Sequence, residues 1–221
     1  MSLSEPIARA VARPDVGSPR RLETLTDGVF SIVMTLIVLQ IAVPRGPEAQ
    51  LLGQLAKLLP TLVTYALTFV TLGALWFGNR TQGEFIERAD HTLVWLTLLM
   101  LGFVALIPFS AALLAAFPVS RIAVVVYGVH LSVVFVVHGS LWTYVSRRPW
   151  LLREGVSESY RRRARVASFL PAIGYAIPTV IGAVAPLAGL VGFLLVPVPL
   201  VAGVFYRWLA RIHAESQRPR P

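Results

Sequence analysis

Residues 21–44, RLETLTDGVFSIVMTLIVLQIAVP, begin with three charges, Arg21, Glu23 and Asp27, and then run to Pro44 without another. A spanning helix needs about 20 mostly apolar residues, because about 1.5 Å of rise each must cross about 30 Å of hydrocarbon. This stretch meets that length, with Asp27 at its threshold and Thr35 near its middle. The same pattern repeats outward from it, in uncharged blocks at 58–79, 91–120, 122–146 and 166–206. The last block has 41 residues, enough for two helices, and APLAG (185–189) at its centre predicts a tight hairpin. The chain is therefore read as an all-α integral membrane protein with six transmembrane helices, at about 22–43, 51–78, 91–116, 120–145, 165–184 and 187–210. Residues 20–213 form one membrane domain, 1–19 a disordered N-terminal segment rich in Pro and Arg, and 214–221 a polar tail.

Composition agrees with that reading. Of 221 residues 56% are hydrophobic and only 14% charged, with a mean hydropathy of +0.69, too little charge to cover a soluble domain. The net charge of +9 could point to nucleic acid, but the positions of the basic residues argue for a topology signal. With six spans, the N-terminus, the 2–3 and 4–5 connections and the C-terminus share one side and hold 17 of the 20 Lys and Arg. Arg45, Lys57 and Arg121 are all that remain for the other side. The positive-inside rule then puts both termini in the cytoplasm of a cell or inner membrane. Arg161–Arg163 and Arg165, in the 4–5 connection, are placed to attract anionic lipid headgroups. A cleaved signal peptide is the competing reading of the first span, but QIAVPRG (40–46) offers no small-x-small cleavage site.

Catalysis has little to work with. Cysteine is absent, and HExxH, GxSxG and P-loop motifs do not occur, so no enzyme, metal site or cofactor is expected. His130 and His138 are eight residues apart on the fourth helix, about 12 Å along the axis, too far to share an ion. Helix packing accounts for them, with proton sensing as the alternative. Proton-coupled transporters keep a carboxylate near mid-membrane, and after Asp27 no Asp or Glu falls within the expected spans. Pro108 lies inside the third helix and predicts a kink.

Passive conduction remains, and it needs only a suitably lined hole. No TVGYG-like loop is present, so a pore would be lined by helix side chains rather than by a re-entrant filter. On the first helix, Ile32, Thr35, Leu36 and Leu39 recur at i, i+3, i+4 and i+7 and share one face, with Gly28 and Ser31 extending it towards the cytoplasm. Four copies around an axis would stack apolar rings about one hydroxyl ring, and apolar constrictions gate by dewetting. Such a stripe is more often ordinary helix packing than a pore lining.

RLETLTDGVFSIVMTLIVL resembles the signature of the transmembrane-protein-175 family of potassium channels, whose first helix opens Arg-x-x-x-Phe-Ser-Asp. Arg21, Leu25, Thr26 and Asp27 occupy those places, with Leu25 for the Phe and Thr26 for the Ser. LPTLVTYALTFVTLGALWFGNR (59–80) is similar to the family's second helix, and LVWLTLLMLGFVALIPFSAAL (93–113) to its third. The resemblance implies a passive potassium-preferring channel with a non-standard fold, assembled as a homotetramer around the first helix, with K+ as permeant ion and no cofactor. It implies a hydrophobic gate with Ile32 as constriction, Leu36 and Leu39 along the conduit, and Thr35 as the selectivity hydroxyl. Arg21, Thr26, Asp27, Trp76 and Asn79 correspond to a structural network at the inner helix ends. From the residues alone, Asp27 reads equally as a helix cap or interfacial anchor. The alternatives to a channel are a non-conducting scaffold that binds lipid through its Arg-rich segment, and a proton-coupled transporter using His130 or His138.

Overall fold

The computed structural model describes residues 15–17 and 19–199. The described chain is helical apart from short connections and one small sheet. Its helices are α1 (Arg20–Leu36), α2 (Leu51–Lys57), α3 (Leu59–Gly83), α4 (His91–Ala105), α5 (Ile107–Ala116), α6 (Arg121–Ser146), α7 (Glu158–Gly182) and α8 (Pro186–Leu195). Five spans are long and apolar enough to cross a membrane: Arg20–Gln40, Leu59–Gly83, His91–Ala116, Arg121–Ser146 and Glu158–Gly182. The expected sixth, 187–210, is an apolar helix over Pro186–Pro199, and its remainder and the tail lie outside the described residues.

Local chemistry sets the boundaries. α1 follows Pro19, carries Glu23 in its first turn at the positive end of the dipole, and tightens into a 3-10 turn over Ile37–Gln40. Pro60 sits in the first turn of α3, where its missing N–H costs no hydrogen bond. Asp90 caps α4 by accepting from the Leu93 amide at 2.8 Å. The third span divides at Leu106, between α4 and α5, because Pro108 has no N–H to offer the carbonyl of Val104. α7 starts at Glu158, earlier than the apolar run suggested, because Ser157 caps it through the Tyr160 amide. Arg161–Arg165 are therefore helical rather than part of a loop.

Two further differences are informative. The hairpin falls at 183–185, ahead of the APLAG centre, and Pro186 opens α8 instead of forming the turn. Asp15–Gly17, inside the segment expected to be disordered, forms β1 and pairs antiparallel with β2, Ala89–Asp90. Ile86 also bridges Leu152. The start of α1, the α3–α4 connection and the α6–α7 connection thus meet at one end of the molecule, as an alternating topology requires.

α6 packs most extensively against α7, and α7 against α8. α7 and α8 meet backbone to backbone at Gly189, where a Cβ would lie 2.5 Å from Gly182 Cα and 2.8 Å from the Pro178 carbonyl oxygen. Gly128 has the same role on α6, since a Cβ there would collide with Thr179 and Phe193. Around these contacts lie Tyr127, Tyr175 and Phe193, all fully buried. The Tyr127 hydroxyl meets Thr68 at 3.0 Å and the Tyr175 hydroxyl meets Thr71 at 2.6 Å, so both phenols are bonded within the core. The outer surface is apolar along the helices, as Trp95, Phe109, Ile122 and Val180 illustrate.

Candidate functional site

α1 uses one face to hold the bundle. Thr26, Phe30, Val33 and, in the following turn, Ile37 are buried against the other helices. Ile32, Thr35, Leu36 and Leu39 lie outside that face. Ile32 is 59% exposed, Leu36 45% and Leu39 75%, and Gly28, Ser31 and Thr35 are exposed with them. The stripe is therefore not the surface by which α1 packs within its own chain. In a membrane helix it is left for lipid, another copy of the chain, or a water-filled space.

Thr35 is the one hydroxyl between the apolar members of the stripe. Its Oγ1–H points back along the helix to the Ser31 and Ile32 carbonyls, at 3.0 and 2.8 Å. The helix satisfies the donor, and the oxygen stays on the exposed face. Past Leu36 the backbone is 3-10, in which residues three apart eclipse, so Leu39 stands over Leu36.

At the other end of α1, the Trp76 indole N–H donates to Asp27 Oδ1 at 2.8 Å and ties α1 to α3. The Arg80 guanidinium lies over the Trp76 ring, 5.7 Å from its centre. Asp27, Thr26 and Asn79 border a cavity of about 260 Å³ that Glu23, Arg80 and Arg153 also line. Thr26 lines it without joining the network by hydroxyl, because its Oγ1–H donates to Leu22 O at 2.9 Å. Arg21 is exposed and makes no ion pair with Glu23 or Asp27 among the described residues. Asp27, Trp76 and Asn79 thus come together, Thr26 borders them, and Arg21 does not.

Several polar residues at work here carry no motif. The buried Asp90, besides capping α4, accepts from the Tyr144 hydroxyl, and Arg148 stacks on the Tyr144 ring at 3.7 Å. Its position just ahead of an apolar run is the N-cap signal that could have found it. Gln40 donates to Pro108 O and joins the 3-10 turn after α1 to α5. His130 spans the break in the third span: Nε2 donates to Phe103 O at 3.0 Å, and Nδ1 lies 2.8 Å from Ser110 Oγ. His138 is buried, with no hydrogen-bond partner for Nδ1. Among the described residues no group of three His, Asp or Glu is placed to hold a metal ion.

Residues 21–108 match the family described as "Endosomal/lysosomal potassium channel TMEM175". A protein of Streptomyces collinus named as a potassium channel is 30% identical over 194 residues, which span 81% of this chain and 94% of that one. A second potassium channel, from Chamaesiphon minutus, is 29% identical over 150 residues, 65% of this chain and 74% of its own. An endosomal/lysosomal proton channel TMEM175 of Danio rerio is 26% identical over 144 residues, but these make up only 28% of that protein. In fold, the chain is similar to the crystal structure of a lysosomal potassium-selective channel TMEM175 homolog from Chamaesiphon minutus. The TM-score is 0.70 at 22% identity, covering 82% of this chain and 95% of that one.

Proposed function

The chain belongs to the TMEM175 family of channels, and from that premise we propose that it is a passive, potassium-preferring cation channel of a bacterial-type inner membrane, a homotetramer with α1 of each chain around a central pore. The family is one of ion channels, not of enzymes. The observation that carries the reading is the outward face of α1, where Ile32, Thr35, Leu36 and Leu39 are exposed while Phe30, Val33 and Ile37 hold the helix in its own bundle.

Ile32 forms the narrowest ring, Leu36 and Leu39 continue the conduit, and Thr35 contributes to selectivity. Gating is by dewetting of the apolar rings. Asp27, held by Trp76, fixes the pitch of α1 from its inner end, and Asn79 and Thr26 line the cavity beside it. Each chain crosses the membrane six times, with both termini cytoplasmic and no re-entrant filter loop. Arg161–Arg165 face anionic lipid on the cytoplasmic side. No resident cofactor takes part, and K+ is the cargo.

Reconstitution into liposomes with opposed K+ and Na+ gradients tests the proposal. A reversal potential displaced towards that of K+ is expected. No current, or a reversal potential indifferent to which cation is replaced, sinks it. A strict monomer in mild detergent would favour the scaffold reading instead.

A further inference from the structure

Few buried polar atoms among the described residues lack a partner. Among the described residues, the buried side-chain N and O atoms lacking a hydrogen bond are Gln82 Oε1, His138 Nδ1, Trp142 Nε1, Thr143 Oγ1 and Arg161 Nε. All belong to α3, α6 and α7 in the half of the molecule that holds the inner end of α1. Buried polar groups are normally satisfied, so each exception calls for an explanation.

Two of these five residues, Gln82 and His138, line a cavity of about 250 Å³ between the three helices. Its deep part is apolar, with Phe77, Phe135 and Pro171, and Gln82, Ser168 and His138 supply its polar edge. His138 is only 5% exposed, its imidazole packs against Gly78, and it makes no hydrogen bond. Gln82 gives its amide N–H to Ser168 at 2.9 Å, leaving its carbonyl oxygen enclosed without a donor. Towards the helix ends, on the face of α7 that carries Ala164 and Ser168, stands Arg161. One of its terminal nitrogens caps α6 by donating to Ser146 O at 3.2 Å, while its Nε is buried without an acceptor. Among the described residues no carboxylate pairs with it, and Arg162 and Arg163 beside it are exposed. Arg161 stands outside the cavity's lining, one turn before Ala164, so from Arg161 to Pro171 guanidinium, amide, imidazole and hydrocarbon follow in turn over about 15 Å along α7. A phospholipid presents the complementary order: phosphate, glycerol esters, acyl chain.

We infer that this junction binds one anionic phospholipid per chain, its phosphate on Arg161, a glycerol ester carbonyl on His138, and the start of an acyl chain against Phe77, Phe135 and Pro171. A part-buried guanidinium is stabilised by an anion, and its planar fork suits phosphate oxygens. A neutral imidazole donates one N–H, which an ester carbonyl accepts. The assignment to the inner leaflet rests on the topology proposed above.

Native mass spectrometry of the full chain in detergent, titrated with phosphatidylglycerol, phosphatidylcholine or inorganic phosphate, tests the site without any ion flux, so its outcome is separate from that of the channel reading. One phosphatidylglycerol per chain is expected, bound at least tenfold more tightly than phosphatidylcholine and retained in excess inorganic phosphate. Arg161→Gln should weaken it about tenfold, with Arg161→Lys intermediate. Ala164→Phe, which keeps every charge but fills the cavity, should also weaken it, with oligomeric state and helicity unchanged. Equal affinity for the two lipids overturns the inference, as does indifference to both Arg161→Gln and Ala164→Phe. Displacement by inorganic phosphate would assign the site to a soluble anion and overturn it too.

Discussion

Ile32 and Trp76 show how differently two residues of one helix pair can be tested. Ile32 touches little of its own chain, so replacing it should leave the fold intact and alter only what α1 faces. Ile32→Asn wets the proposed constriction, and unitary conductance in planar bilayers should rise severalfold. Unchanged conductance would place the narrowest ring elsewhere on α1. Trp76 is the reverse case, since its indole N–H holds Asp27 at 2.8 Å. Trp76→Phe keeps the ring and loses the bond, so the denaturation midpoint in detergent should fall by the equivalent of about 1–2 kcal/mol, the usual range for a bond to a charged acceptor near water. An unaltered midpoint would reduce Asp27 to an interfacial anchor. The shared face of Ile32, Thr35, Leu36 and Leu39 was legible in the sequence, because periodicity is a local property. That this face turns away from the core was not, because it depends on how the other helices pack. Nor could spacing show that Thr26 spends its hydroxyl on Leu22 O while Trp76 supplies the bond to Asp27.

At the scale of elements, the third span shows what is local and what is tertiary. Pro108 predicts a break, and the helix divides at Leu106. What holds the two halves in line comes from another helix: His130 on α6 reaches Phe103 O on one side of the break and Ser110 Oγ on the other. His130→Leu would fill the space but leave the carbonyl and the hydroxyl without their partner. A loss of about 1–3 kcal/mol is expected on that account, read as a lower unfolding midpoint, while His130→Gln, which can still donate, should recover part of it. Equal stability of the Leu variant would show that the break needs no staple. The long spans were legible from hydropathy and length. The hairpin at 183–185 was legible only to within a few residues, because a proline suits a first helical turn as well as a bend. The pairing of Asp15–Gly17 with Ala89–Asp90 joins segments far apart in sequence, and nothing local announces it.

For the molecule as a whole, the absence of cysteine is an experimental convenience. Leu39→Cys would introduce a single thiol on the outward stripe of α1. If four copies of α1 surround one axis, oxidation in the membrane should yield cross-linked dimers and a water-soluble thiol reagent should reduce ion flux. Monomers alone after oxidation, with flux untouched by the reagent, would count against a central position for α1. The same geometry gives the Thr35 hydrogen bonds a meaning beyond one helix. Each Oγ1 has committed its proton to a carbonyl behind it, so what it offers outward is electron pairs alone. Brought together around the proposed axis, four such oxygens would form a collar of negative dipole ends bearing no formal charge. Such a collar can replace part of the water around a cation and has no hydrogen to give an anion, so the passage would tell the two signs apart without an ionised side chain in it.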